Sequence, residues 1–303
     1  MESTGLESRM VRLLYAVMLA FPEAAAAVGP PIVPEVTVTA PKPPEARELA
    51  GESVPKFIKN HGKPAILSGQ LGRWVTEICP RTEGLAPAFN GFVSARVEAI
   101  AARVGAPHQW AAQCRPNVAI YFTADPQAML DEVAKRAPQL LGFHYPHQVK
   151  RLATINRPIQ AWYVTAIRGM SGEDIIDDIW GSLPPGRLGS RLTLGRSSLI
   201  VFVLIVADTR KLNNFSVGSI SDYIALLTLS RPASLDGCGQ LPSIIDLMSP
   251  VCGSNSTSTA MTAGDTAYLR ALYSLNMEQP LSLQREDIQD KMMREFQTRT
   301  PND

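Results

Sequence analysis

Ser198-Leu-Ile-Val-Phe-Val-Leu-Ile-Val-Ala207 contains nine consecutive apolar residues, most of them β-branched or aromatic. Spanning a bilayer takes about twenty apolar residues, so the run predicts a central strand buried on both faces rather than a membrane segment. Two further stretches have the same character: Pro116-Asn-Val-Ala-Ile-Tyr-Phe-Thr123 and Ile159-Gln-Ala-Trp-Tyr-Val-Thr-Ala-Ile167. Helical patterns alternate with them. Gly91 to Arg103 places apolar residues at 93, 97, 100 and 101. Asp125-Pro126 supplies an N-cap and a first-turn proline for a helix running to about Arg136. Ser171-Gly-Glu-Asp174 reads as a capping box with Asp for Glu, opening a helix through Trp180. Ser219 to Arg231 is a helix stopped by Pro232, and Asp265 to about Leu275 is the last clear one. Together these patterns predict one α+β domain over about residues 55–280, a mixed β-sheet packed by helices. Residues 281–303 read as a charged C-terminal tail. No internal repeat of fixed period occurs.

Composition excludes some partners. With 45% hydrophobic and 19% charged residues the chain is of ordinary globular type, and its formal charge of +1 gives no field that gathers nucleic acid. The 24 prolines are concentrated at the front, seven of them between Pro30 and Pro55.

The N-terminus carries the three parts of a secretory signal in order: Arg9 and Arg12, the apolar stretch Leu13 to Phe21, then Pro22 and Ala24 to Ala27. Residues 1–27 are expected to be a cleaved signal peptide, leaving no transmembrane anchor, and 28–54 an extended proline-rich linker. The acidic Glu2 and Glu7 leave Met10 as an alternative start. Within the linker, Glu35-Val-Thr-Val-Thr-Ala-Pro41 resembles the β-prone segment behind the signal of many Gram-negative exported proteins, TonB-dependent receptors among them.

Export places Cys79, Cys114, Cys238 and Cys252 in an oxidising compartment, where an even number of cysteines is expected to form disulfides. Three pairings are open. The local one, Cys79 with Cys114 and Cys238 with Cys252, is preferred. The chain has no Cys-x-x-Cys pair for zinc, and a bridged cysteine has no thiolate for nucleophilic chemistry.

Chemistry-bearing motifs are sparse. His144-Tyr-Pro-His147 is the only close histidine pair; neutral imidazoles at that spacing share a metal when they lie on a helix, but Pro146 discourages one. A structural loop is the plainer reading. His61 and His108 have less local support. Glu173, Asp174, Asp177 and Asp178 lack the alternating ligands and central glycine of a calcium loop, and helix-dipole compensation accounts for the first two. Gly-x-Ser-x-Gly, Ser-x-x-Lys, Gly-x-Gly-x-x-Gly and the Walker A pattern do not occur, so no cofactor is implied. Asn214-Phe-Ser216 and Asn255-Ser-Thr257 fit the glycosylation sequon.

From residue 198 onward the chain runs through a buried strand, a helix, a cysteine-containing loop and Thr262-Ala-Gly-Asp265-Thr-Ala-Tyr268-Leu-Arg-Ala-Leu272-Tyr273. This order resembles the C-terminal half of a family of exported, metzincin-like zinc peptidases of unknown function, over about 80 residues and with a loose motif. In that family the helix after the strand carries a His-Glu pair, because peptide hydrolysis needs an activated water and a proton acceptor. The corresponding helix here reads Ser221-Asp222-Tyr223-Ile224-Ala225-Leu226-Leu227, without a histidine. The resemblance therefore implies a peptidase-like scaffold lacking its metal ligands, with Asp222 and Tyr223 at the corresponding positions. Without it, Asp222 is a first-turn acid favourable to the helix dipole and Tyr223 half-buried packing. The whole chain also resembles exported alphaproteobacterial proteins of unknown function. The expected activity is that of a periplasmic or secreted, non-enzymatic binding protein for an unknown protein or small-molecule ligand. The alternatives are a hydrolase with an unrecognised site and an accessory subunit of an envelope complex.

Overall fold

The computed structural model describes residues 53–108, 114–142, 145–169, 172–177, 193–236, 238–250, 252 and 258–298. The signal segment, nearly all of the linker, His144, Asp178 and the sequon at Asn255 lie outside the described residues. Seven helices and five strands are formed by the described residues. They are α1 (Ser53–His61), β1 (Pro80–Glu83), α2 (Pro87–Val104), β2 (Val118–Thr123), α3 (Pro126–Arg136), α4 (Val149–Leu152), β3 (Ile159–Gly169), β4 (Asp174–Ile176), β5 (Arg196–Asp208), α5 (Val217–Leu229), α6 (Ala263–Tyr273) and α7 (Leu281–Thr298).

The strand order is β1-β2-β5-β3-β4. β5 is therefore central, as its continuous apolar run requires. It pairs in parallel with β2, Val118 opposite Val203, and antiparallel with β3, Ile159 opposite Ala207. Strand alternation puts Phe202, Leu204 and Val206 on one face and Val203, Ile205 and Ala207 on the other, and a bulge that skips Val201 in the β3 register between Val164 and Thr165 brings Ile200 onto the second face. The first of these faces packs on α3 through Met129, Leu130 and Val133. The second meets a larger core supplied by α1, α2, α5, α6 and α7. The sheet is mixed and covered by helices on both faces, the α+β architecture that the sequence pattern predicts.

α5 is buried at every residue from Ser219 to Leu229, because it lies under α2 and the 3-10 turn Ile244–Met248 as well as on the sheet. α3 begins as expected, the Asp125 carboxylate accepting from Ala128 N at 3.3 Å ahead of Pro126. Both local disulfides are present, Cys79–Cys114 with Cα atoms 5.9 Å apart and Cys238–Cys252 at 5.5 Å. Disulfides of this kind belong to compartments more oxidising than the cytoplasm. No described helix is long and apolar enough to cross a membrane.

Two expectations are corrected. Over the described residues 172–177 the segment after Ser171 is not a helix: Asp174–Ile176 forms β4, antiparallel to β3, with Ile175 opposite Ile167, while residues 178–180 lie outside the described residues. Gly172 at φ +86° and the Gly172 N to Gly169 O bond turn the chain into a hairpin, and Arg168 clamps Asp174 across it with two bonds of 2.7 Å. Asp174 thus pairs with a cation, not with a helix dipole. A short apolar run carries no period long enough to tell helix from strand, and here the neighbouring strand decides. Likewise residues 281–298 are not a free tail. α7 buries Gln284, Ile288 and Met292 at four-residue spacing, and the Gln284 carboxamide oxygen accepts from Leu71 N at 2.9 Å.

Truncating the central strand measures its contribution. Ile205→Ala removes a fully buried side chain from the larger core and is expected to cost about 2–5 kcal/mol in chemical denaturation, with the fold retained.

Candidate functional site

Asp265 has no solvent exposure, and a carboxylate in that position must be met by hydrogen bonds. It lies three residues beyond the N-cap Thr262 of α6 and completes a capping box there, with Thr262 N at 3.0 Å and Thr262 Oγ1 at 2.9 Å donating to Oδ2. Ile244 N donates to the same oxygen at 2.9 Å. Oδ1 accepts from Ser243 Oγ at 2.6 Å and lies 3.1 Å from His61 Nε2. Burial pushes the Asp265 carboxyl up, but the bonds from His61, Ser243 and Ile244 outweigh it and hold the group below the ordinary carboxylate range.

His61 is fixed from both sides. Its Nδ1 donates to Phe57 O at 2.8 Å, one turn back on α1. The ring stacks on Phe57, centroids 3.7 Å apart and planes within 15°, and tilts against Tyr268 of α6 at 5.3 Å. One carboxylate therefore joins α1, the loop before the 244–248 turn and the start of α6.

Ser243, His61 and Asp265 have the composition of an acyl-transfer triad, and their geometry differs from one. In that chemistry the carboxylate holds Nδ1 while the hydroxyl meets Nε2. Here Nδ1 is taken by a backbone carbonyl, and both Asp265 Oδ1 and Ser243 Oγ (3.0 Å) lie at Nε2. Ser243 Oγ also donates to Asp265 and accepts from Ile245 N at 3.1 Å, as the N-cap of the 244–248 turn. The hydroxyl is buried and fully engaged, which suits a lock between elements and not a nucleophile.

Against this lock, with His61 and Ser243 in its lining, lies a cleft of about 160 Å³ between α1 and the 238–246 loop. Lys56, Phe57 and Asn60 line it from α1, and Gln240, Ile245 and Asp246 from the loop. Ser53 Oγ donates to the Gln240 carboxamide oxygen across one end. The Cys238–Cys252 bridge closes the loop that forms this wall. Burial pushes the Asp246 carboxyl up to about 6, and Asp265 adds repulsion, against opposing contributions from the Ser243 backbone and His61.

The residues singled out from sequence lie elsewhere. Asp222 is buried on α5, paired with Arg96 by contacts of 2.5 and 3.1 Å, and accepts from Met261 N at 2.8 Å. Tyr223 is fully buried rather than half-buried, at 2% exposure, because α5 is covered on all sides; burial raises its phenol. His147 is exposed in the Pro146–Gln148 turn, stacked on Tyr145 with centroids 5.7 Å apart. His108 Nδ1 donates to Ala106 O at 3.0 Å. Asp177 is buried against β3, where it accepts from Thr165 Oγ1 at 2.9 Å. Among the described residues, no group of three or more His, Cys, Asp or Glu side chains is placed to hold a metal ion.

Sequence reading passed over the lock. Thr262-x-x-Asp265 and Ser243-x-x-Asp246 both have capping-box spacing, but nothing local to His61 shows that it meets them across 182 and 204 residues. No protein-family model matches this chain, and comparison with curated proteins and with solved structures returns no match.

Asp265→Ala strands His61 and four backbone or hydroxyl donors and is expected to cost about 3–5 kcal/mol in chemical denaturation, against about 1 kcal/mol for Ser243→Ala. The two carboxyls act oppositely on pH dependence. Asp265, held low, stabilises the fold above the ordinary value of 3.8, and that contribution is lost as pH falls. Asp246, raised from 3.8 to about 6, binds its proton more tightly in the folded state, so stability declines as pH rises through that window. In melting curves from pH 4 to 7, Asp246→Asn is expected to flatten this decline and to be more stable than the parent at pH 7.

Proposed function

We propose that this is an exported, non-enzymatic binding protein, periplasmic or secreted, whose small-molecule ligand occupies the cleft between α1 and the 238–246 loop. The observation that carries the reading is the locked state of the Ser243, His61 and Asp265 set. The residues best suited to covalent chemistry are consumed in holding the cleft walls, while Asn60, Gln240 and Asp246 line the opening. Polar side chains dominate the lining and Phe57, Leu241 and Ile245 supply its apolar part, so a ligand there would be oriented chiefly by polar contacts. Export is supported by the two disulfides and by the three-part signal in the sequence.

The metzincin-like likeness fits the same conclusion as a pseudopeptidase reading. The helix after the central strand offers no histidine, and its acid is neutralised by Arg96. A hydrolase that used Ser243 as its nucleophile would need that hydroxyl to leave both Asp265 and Ile245.

Two measurements test the proposal on the mature, disulfide-bonded chain. A small-molecule screen by two-dimensional NMR is expected to give saturable shifts confined to α1 and residues 238–246, weakened at least fivefold by Asn60→Ala. A fluorophosphonate probe is expected to leave Ser243 unlabelled. Stoichiometric labelling of Ser243, or saturable binding that maps only to another face, overturns it.

A further inference from the structure

Beside His61, which the lock engages, the cleft is lined by one acid and one lysine that do not pair with each other. Asp246 is 3% exposed on the loop wall; Lys56 is exposed on the α1 wall. Among the described residues neither side chain makes an ion pair, with the other or with any third group. Most of the other carboxylates brought under the surface are compensated: Asp222 by Arg96, Asp265 by its donors, Asp208 by Arg210. Asp246 accepts a backbone hydrogen bond from Ser243 and, among the described residues, meets no cation. A carboxylate withdrawn from water is costly unless a cation meets it, and the upward displacement of this carboxyl reflects the cost.

We propose that the cleft takes a small zwitterion, a free amino acid or a close analogue, with its ammonium on Asp246 and its carboxylate on Lys56. The proposal rests on the binding-protein reading above and specifies its ligand. A cleft of about 160 Å³ is well below the roughly 300–1,000 Å³ of sites for larger ligands, so it suits a molecule of a few heavy atoms. A plain amine would satisfy Asp246 and leave Lys56 without a partner. A plain carboxylate would meet Lys56 but be repelled by Asp246 and, behind it, Asp265. A divalent metal would find a single carboxylate where three or more ligands are needed. Phe57 also lines the cleft and supplies apolar surface for the short carbon chain of such a ligand.

The pH dependence follows from the groups around Asp246: His61 and Lys56 from α1, Asp265 from α6, and the Ser243 backbone from its own loop. Ionisation of Asp246 creates the ammonium site, so affinity is expected to rise severalfold between pH 5 and pH 7.5, with proton release on binding at pH 6.

Isothermal titration of the mature, disulfide-bonded chain with glycine, β-alanine and the common L-amino acids, beside acetate and methylamine, tests this. At least one zwitterion is expected to bind tenfold or more tightly than both half-molecules. Asp246→Asn is expected to weaken it at least tenfold and to abolish the pH dependence, and Lys56→Met to weaken it at least fivefold. Lys56 is exposed, so that variant also separates lost binding from lost folding. Acetate or methylamine binding as tightly as every zwitterion, or zwitterion affinity unchanged in both variants, overturns the zwitterion assignment. If an uncharged compound instead shifts α1 and residues 238–246, the zwitterion assignment fails while the cleft stands as a binding site. If nothing binds there, both fail.

Discussion

A strand that is apolar on both faces cannot lie at a surface, and β5 sets this condition for everything around it. Its two edges must be paired, which draws β2 and β3 alongside in opposite senses. Its two faces must be covered. One needs only α3 and the turns after it. The other demands a thicker layer, because α5, the next element in the chain, is itself apolar all round and must be enclosed by α2, the 244–248 turn and the sheet. The asymmetry of the molecule, a thin layer on one side and a thick one on the other, follows from these two consecutive apolar segments.

The thick layer is where the chain brings distant pieces together, and Asp265 fixes their arrangement. Its zero exposure makes every donor around it necessary, and those donors come from α1, the loop before the 244–248 turn, and the N-terminus of α6. The Cys238–Cys252 bridge then closes the loop that carries Ser243 and Ile244. The cleft walls are consequently held from behind, α1 through His61 and the loop through Ser243 and Ile244, before any ligand arrives. A site fixed in this way loses little conformational freedom on binding.

Three buried acids show how surroundings decide the role of one residue type. Asp222 meets a guanidinium and becomes a structural anchor between α5 and α2. Asp265 is surrounded by donors and becomes a hub. Asp246, at a cleft edge with a weaker donor set, is left with a raised affinity for protons and an incentive for a cation. The sequence offers only a partial basis for separating them. Asp222 looks like a first-turn acid, and its guanidinium partner lies 126 residues away. Asp246 and Asp265 carry capping-box spacing that marks them as helix starts and no more.

The chain's own pattern determined the three long strands, the four helices with distinct caps or periods and the mixed sheet under helices, and it favoured the local pairing of the cysteines that the structure then fixed. Each depends on residues near in sequence: runs of β-branched residues, proline and aspartate at helix starts, short loops between cysteines. Only the tertiary structure decided the rest. Residues 174–176 became a strand because β3 offered an edge and Arg168 a counter-charge. Residues 281–298 became part of the core because a polar side chain, Gln284, found a buried backbone donor in Leu71. The cleft and its lock needed His61, Ser243 and Asp265 from opposite ends of the chain. Hydrogen bonding over such separations leaves no period, spacing or composition in the sequence, since it is created by the packing of the elements that carry the partners.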